Sequence, residues 1–415
     1  MSEPNRPIGG YLFRHLPPTA VPVEGSDVWR GLLSLVQPSQ DARERLRSAI
    51  VAQTRSPNCH LLGSAREALA VILLGLKRLS ERSQVIIPAY SCPTVVQSVL
   101  KAGLDPVMCD MSIQTLGLDR AALSSLVGEK VLAIVATHLY GLAQDVRDLL
   151  AIGQDYGIFV VEDAAQAFGA TFQGRRVGTW GDAGLYSLGR SKCIPAGHGG
   201  VIVSQNHCAP AISEAVQDSV SRRDGRDWSS LALFMGYGLA THPMGWWFLV
   251  RTPLNPADEG MDVSTLPPIH LHRISPVQAG IGASILERLE SLQAMSRRNA
   301  RRLMACLAEF GFVTLPQIPE GAEPVFLRLP FVVEGEERTN RVFAQLWQEG
   351  IGVSRSYWRT LPDLFSGTLS TSKRAYPVAS RLASCLLTLP THAYLKEQDF
   401  ERIASAFRAV DSQGG

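Results

Sequence analysis

The sequence predicts an α/β protein of two domains, a large one on a mostly parallel, doubly wound sheet and a smaller C-terminal α+β domain. Three observations lead there. The 415 residues are more than one hydrophobic core usually serves. From about residue 60 to 205, short β-branched runs alternate with longer amphipathic segments, which is the rhythm of repeated βαβ units. After Pro253 that rhythm stops. The expected divisions are an N-terminal arm over 1–55, a large domain over 56–254 and a small domain over 255–415.

Taken in order, residues 1–55 are rich in proline and polar groups and read as an extended arm packed on the rest. The run 63-GSAREAL-69 leads from a short apolar piece into a helix over 66–79. Strands are expected over 85–87, 106–109, 131–136, 158–162, 183–187 and 200–204, with helices over 93–103 and 145–156 between them. Most of these strands are apolar throughout, as when helices cover both faces of a sheet. A long helix follows from Ser275, striped by Ile281, Ile285, Leu289 and Leu292, with Arg297, Arg298, Arg301 and Arg302 on its solvated faces. A strand over 325–333, a helix over 340–348 and a last helix over 399–410 complete the chain.

Composition removes several classes of function. With 46% hydrophobic and 19% charged residues, the chain can bury a core and is not disordered. Forty basic against 38 acidic residues leave +2, so no long-range field draws nucleic acid or an anionic membrane, and an anionic ligand must be held locally. Seven scattered cysteines, never as C-x-x-C, give no disulfide framework or zinc knuckle and suit a reducing cytoplasm. The N-terminal residues show neither the basic nor the apolar region of a signal peptide. Residues 228–250 carry no charge, yet three glycines and a His-Pro pair interrupt them. They read as a buried helical excursion or pocket wall rather than a membrane span.

The richest segment is 158-IFVVEDAAQAFGATFQGRRVGTWGDAGLYSLGRSKCIPAGHGGVIVS-204. Asp163 falls at the carboxyl end of an apolar strand, where an open parallel sheet binds its ligand. A carboxylate there needs a cation or several hydrogen bonds, or else serves only as the N-cap of a following helix. Lys192 comes after the next strand and just before Gly197, Gly199 and Gly200, a turn where backbone can pass close to a cofactor. Ser64, with the amides that open its helix, forms an anion seat for phosphate or simply caps the helix. An aspartate, a lysine, Ser187 and a helix N-terminus together make the set that pyridoxal 5'-phosphate needs.

With HLYG (138–141), VEDAAQAFGA (161–170), GD (181–182), YSLGRSK (186–192) and GHGG (197–200), the chain resembles the DegT/DnrJ/EryC1/StrS family. These are pyridoxal-phosphate aminotransferases of the aspartate-aminotransferase fold type (fold type I), most of them acting on sugars. The likeness runs back through GSAREAL and VIIPAYSCPTVVQSVLKAGLDPVMCDM (85–111) and forward to LTLPTHAYL (387–395). The resemblance implies that Lys192 forms the internal aldimine and that Asp163 pairs with the pyridine nitrogen. It also implies that Gln166 lies near the ring hydroxyl, and that Ser187, Ser64, Ala65 and Arg66 belong to the phosphate end. Arg66 stands for the usual threonine of a Gly-Thr pair, leaving the backbone contribution.

Other positions depart from the family. Cys92 replaces an aromatic that stacks on the cofactor ring in many members, and Tyr90 is the nearest aromatic. Leu271 replaces an asparagine that many relatives extend across a dimer interface to the partner's cofactor; His270 or His272 could substitute or could be surface residues. His198 stands in GHGG where acidic residues are common.

The resemblance implies a cytoplasmic homodimer that moves an amino group, from glutamate, to a keto-sugar of the nucleotide-linked kind. Arg222, Arg223 and Arg226 are candidates for the acceptor's phosphate, against a solvated turn in which Asp224 and Asp227 interleave them. Acceptors such as a cyclitol or a carrier-bound ketone stay open. Family members that dehydrate sugars carry histidine in place of the lysine, and Lys192 argues against that activity. A non-enzymatic regulator on the same fold is a further alternative, disfavoured by the Asp163 and Lys192 pair and by the lack of a helix-turn-helix or basic reading element.

Overall fold

The computed structural model describes residues 13–36, 39–221, 227–252, 266–367 and 375–412. The chain opens with helices α1 (Gly25–Val36) and α2 (Ser39–Thr54), followed by strand β1 (Cys59–Leu62) and α3 (Ala65–Lys77). Then come β2 (Gln84–Pro88), α4 (Pro93–Lys101), β3 (Asp105–Cys109), α5 (Arg120–Ser124), β4 (Val131–Thr137), α6 (Arg147–Tyr156) and β5 (Phe159–Asp163). A hairpin of β6 (Thr171–Phe172) and β7 (Arg175–Arg176) precedes β8 (Ala183–Ser187) and β9 (Gly200–Ser204). Seven strands join in the order β1-β9-β8-β5-β4-β2-β3. The four pairings among β2, β3, β4, β5 and β8 are parallel, and β9 and β1 close the edge antiparallel. All seven residues of β4 are buried, as the unbroken apolar run of a doubly covered strand predicts.

Helices α7 (Ala209–Ser219), α8 (Trp228–Thr241) and α9 (Pro243–Leu249) lead to α10 (Pro276–Glu287) and α11 (Leu289–Leu307). The remainder comprises β10 (Val313–Thr314), β11 (Ala322–Glu323), β12 (Leu329–Val333), α12 (Glu336–Gln348), α13 (Leu361–Leu364), α14 (Pro377–Cys385), β13 (Leu386–Leu389) and α15 (Glu397–Asp411). Strands β10, β12 and β13 form a separate antiparallel sheet, while β11 adds to the β6–β7 hairpin.

Four expectations need correction. The described part of the supposed extended arm is largely helical: α1 and α2 pack on α10, and Ala42, Leu46 and Ile50, spaced every four residues, form a buried stripe. The single helix expected from Ser275 breaks at Arg288, whose backbone leaves helical geometry while its guanidinium holds the Pro22 carbonyl and Asp27. Its apolar stripe is therefore used inside the chain, with Ile281 and Ile285 buried. The strand over 325–333 starts only at Leu329, because Phe326 takes a left-handed φ of 46° and its carbonyl accepts from the Thr391 hydroxyl. The uncharged stretch 228–250 is two helices split at His242-Pro243, with Leu231, Phe234 and Trp246 inward and Leu239 and Phe248 outward. No helix of the described residues is long and apolar enough to cross a membrane. All seven cysteines are free thiols.

Candidate active site

The carboxyl ends of β5 and β8 and the amino end of α3 meet at one cavity of about 180 Å³. Asp163 and Lys192 both line it, together with Ser64, Ala65, Arg66 and Ser187. Cys92, Ala165, Gln166, His198 and Tyr357 belong to the remaining wall. A larger concavity of about 980 Å³ beside the β6–β7 hairpin holds mainly arginine, glutamine and glycine, without a paired acid and lysine. The chemistry therefore points to the smaller one.

Asp163 is placed by register. It sits beside Thr137 of β4 and Leu185 of β8, and its carbonyl accepts from the His138 amide. Its Oδ1 accepts from the Ala165 amide at 3.0 Å, but no helix follows, so Asp163 is not the N-cap of the alternative expectation. That single hydrogen bond is little for a buried carboxylate, and burial raises its pKa. Lys192 is half-buried; burial lowers its pKa, and the positive charge of Arg328 acts in the same direction against the pull of Cys92 and Asp163. Both groups thus lie in a medium that favours their neutral forms.

At the other end, Ser64 caps α3: its Oγ accepts from the Glu67 amide and donates to Glu67 Oε1 at 2.9 Å. The Ser64 proton is thereby committed, and the seat rests on the first-turn amides of Ala65 and Arg66, which have no preceding helical carbonyl to bond. Ser187 Oγ accepts from the Gly189 amide, leaving its own proton for a ligand. The Gly199-Gly200 backbone passes against Ser64, where a Cβ on residue 200 would collide with the Ser64 carbonyl. So the glycine turn closes on the phosphate loop itself. Arg66 reaches outward to the Pro267 carbonyl.

Residue 162 points to the opposite face of β5 from Asp163. Buried Glu162 accepts from the amides of Gly178 (2.8 Å), Trp180 (2.5 Å) and Gly181 (2.8 Å) and from His138 Nε2 (3.0 Å). His138 Nδ1 itself accepts from the Gln144 amide, so the proton is on Nε2 and the ring is neutral. Burial alone would raise the Glu162 pKa, but the bonds from His138 and the amides outweigh it and the net shift is downward. This anchor holds the loop between β7 and β8. Nothing local in the HLYG and VED motifs signals that His138 and Glu162 pair across neighbouring strands.

Tyr90 stands behind the cavity rather than on its wall: it is fully buried, with its hydroxyl 3.1 Å from that of Tyr140. Gln166 is fixed at both ends of its amide, accepting from the Tyr140 N–H and donating to the Tyr357 hydroxyl. His272 packs against Gly63 and lies 3.3 Å from Glu67, beside the phosphate loop of its own chain, and His270 lends its carbonyl to the His272 ring. Arg222, Arg223 and Arg226 lie outside the described residues. Among the described residues one trio of metal-capable groups converges, Asp182, His207 and Cys208, away from this cavity. Burial pushes the Cys208 thiol up to about 12, which keeps it protonated.

The sequence profile of the DegT/DnrJ/EryC1/StrS aminotransferase family matches residues 40–408. The chain belongs to this family. It is therefore an enzyme of the aminotransferase class. This aminotransferase is 28% identical over 296 residues to the lipopolysaccharide biosynthesis protein RfbH of Salmonella typhimurium, covering 68% of this chain and 63% of that one. It is 27% identical over 351 residues to the GDP-perosamine synthase of Caulobacter vibrioides, covering 84% of each. With the L-glutamine:2-deoxy-scyllo-inosose aminotransferase of Streptoalloteichus tenebrarius it shares 27% over 351 residues, 79% of this chain and 76% of that. Its fold matches the crystal structure of the sugar aminotransferase CalS13 from Micromonospora echinospora with a TM-score of 0.75 at 21% identity, over 95% and 99% of the two chains. The family that the sequence motifs resemble is thus the chain's own, and the fold is the expected one.

Proposed function

We propose that this aminotransferase uses pyridoxal phosphate to move an amino group from glutamate to the ketone of a sugar, most simply a nucleotide-linked one, and that it works as a cytoplasmic homodimer. The observation that carries the reading is the convergence of Asp163, Lys192, Ser187 and the α3 amino end on one cavity. Each group has the property the cofactor calls for. Asp163 is a buried acceptor with one amide donor, suited to a protonated ring nitrogen; Ser187 and the Ala65 and Arg66 amides suit a phosphate. When bound, pyridoxal phosphate supplies an electron-withdrawing ring that stabilises a carbanion at the amine-bearing carbon.

The chain's own residues do the rest. Lys192 Nζ is the group that would hold the cofactor and, when free, would carry a proton to and from the substrate carbon; burial lowers its pKa, which favours the neutral amine that a base requires. Asp163 holds the proton on the ring nitrogen. Gln166, with its Oε1 committed to the Tyr140 amide and one Nε2 hydrogen to the Tyr357 hydroxyl, would have its second Nε2 hydrogen for the ring hydroxyl. The acceptor's phosphates are assigned to Arg222, Arg223 and Arg226 on their sequence pattern alone. Similarity to an inosose aminotransferase favours a cyclitol ketone as second reading of the acceptor.

The test is a screen of keto-sugar nucleotides, free keto-sugars and cyclitol ketones with the cofactor-loaded protein and glutamate. Glutamate-dependent amination of one class identifies the acceptor. A protein that is neither bleached by glutamate nor able to aminate any of them overturns the reading.

A further inference from the structure

Cys92 leaves the cavity without the aromatic that the sequence comparison leads one to expect there, and Tyr90 turns its hydroxyl toward Tyr140 instead. The wall that remains includes one aromatic from the C-terminal half, Tyr357. It is aimed by its backbone. The segment holding it is tied at one end by the mutual Ser354 and Thr388 backbone bonds and at the other by Leu361 N–H to the Ala89 carbonyl, 2.8 Å. Between these ties Ser356 adopts φ 23°, a left-handed conformation sparsely populated by residues other than glycine. Buried Arg328 braces it, with Nη1 donating to Ser354 Oγ at 3.0 Å and to Ser356 Oγ at 3.3 Å. The Tyr357 hydroxyl accepts from Gln166 Nε2 at 3.1 Å, and the ring meets that of Tyr90 edge-on, centroids 5.5 Å apart.

We propose that Tyr357 is a positioning residue of the cofactor cavity: its ring supplies the aromatic wall that Cys92 lacks, and its hydroxyl fixes the Gln166 amide. The C-terminal half thereby reaches into a cavity otherwise built from the large sheet and its helices. The proposal rests on the pyridoxal-phosphate reading. Two functions of one side chain separate by substitution: phenylalanine keeps the wall and removes the hydrogen bond, whereas alanine removes both.

The experiment is titration of the apoenzyme with pyridoxal phosphate, read by visible absorbance and protein fluorescence, together with the pH profile of the bound cofactor's absorbance. Wild-type protein must first bind and be fixed at Lys192 by borohydride; failure there sinks the functional reading and not this residue's role in particular. Given that binding, Tyr357→Ala should weaken cofactor binding about tenfold or more. Tyr357→Phe should bind within about twofold of wild type while its absorbance pH profile shifts, because Gln166 loses its partner. Cys92→Phe in the Tyr357→Ala background should recover most of the lost affinity. If the alanine variant does not fold, as judged by circular dichroism of the apoprotein, Tyr357→Leu is read in its place. Binding and pH profile unchanged in both the alanine (or leucine) and phenylalanine variants overturn the proposal.

Discussion

At Asp163 and Lys192, burial opposes ionisation on both sides of the cavity. For Asp163 this has a thermodynamic sign. Its folded pKa lies above the unfolded value, so the carboxylate destabilises the cofactor-free fold at pH above the folded pKa, and the penalty fades as pH falls through it toward the unfolded value. Asp163→Asn should therefore raise the melting temperature of the apoprotein at neutral pH and lose that advantage in acid, as differential scanning fluorimetry across pH would record. The same variant should transaminate at least about a hundredfold more slowly, since a neutral amide cannot balance a buried pyridinium. Lys192→Ala should lose about a thousandfold or more, yet still bind pyridoxal phosphate through Asp163, Ser187 and the 64–67 loop. Borohydride should fix the cofactor to the Asp163→Asn protein and not to Lys192→Ala. Label on a peptide of the latter would assign the cofactor to another lysine.

Elements hold these residues where they act, and two contacts are exposed to test. Gly200→Ala would press a methyl group into the Ser64 carbonyl at the amino end of α3. It should cost stability by about 1–3 kcal/mol and weaken phosphate binding, seen as a lower melting temperature and a higher pyridoxal-phosphate dissociation constant. Glu162→Gln replaces an acceptor of four hydrogen bonds with a side chain that accepts at only one end, so the 178–181 loop should loosen and stability fall by about 1–3 kcal/mol, measurable by urea denaturation. Since the folded pKa of Glu162 is lowered, its contribution is full above the unfolded value and disappears as pH drops through the folded one, so wild type and variant should converge in acid. Six of the seven strands of the large sheet were readable in the sequence because unbroken β-branched runs have few other uses, whereas the short edge strand β1 and strand β13 carried too little pattern. Asp163 and Ser187 stood at strand ends, Lys192 before the glycine turn and Ser64 at a helix start. Helices α1 and α2 were hidden by proline and polar composition, although the stripe of Ala42, Leu46 and Ile50 carried the helical period. Tyr357 had no local signal at all, because its place in the cavity depends on the Arg328 brace and the return of the chain to Ala89.

For the molecule as a whole, a homodimer is expected, with a mass by light scattering of twice the single chain. A transaminating monomer would refute it. The stripe of α10 is not available for that contact, being covered by α1 and α2. The covering has another side. Arg14 pairs with Asp399, Leu16 N–H bonds the Gly350 carbonyl, and the Pro17 carbonyl accepts from His392. Residues 13–17 thus find these partners far along the chain, and His15 N–H, bonded to the Pro243 carbonyl, and Phe13, against Trp247 and Phe248, reach no nearer than residue 243. A ribosome adding about 5–20 residues per second would expose the faces of α1 and α2 for tens of seconds before α10 exists to receive them. The nascent chain is therefore a natural client for holding chaperones, and its N-terminal helices should be the last part of each newly made molecule to become resistant to protease.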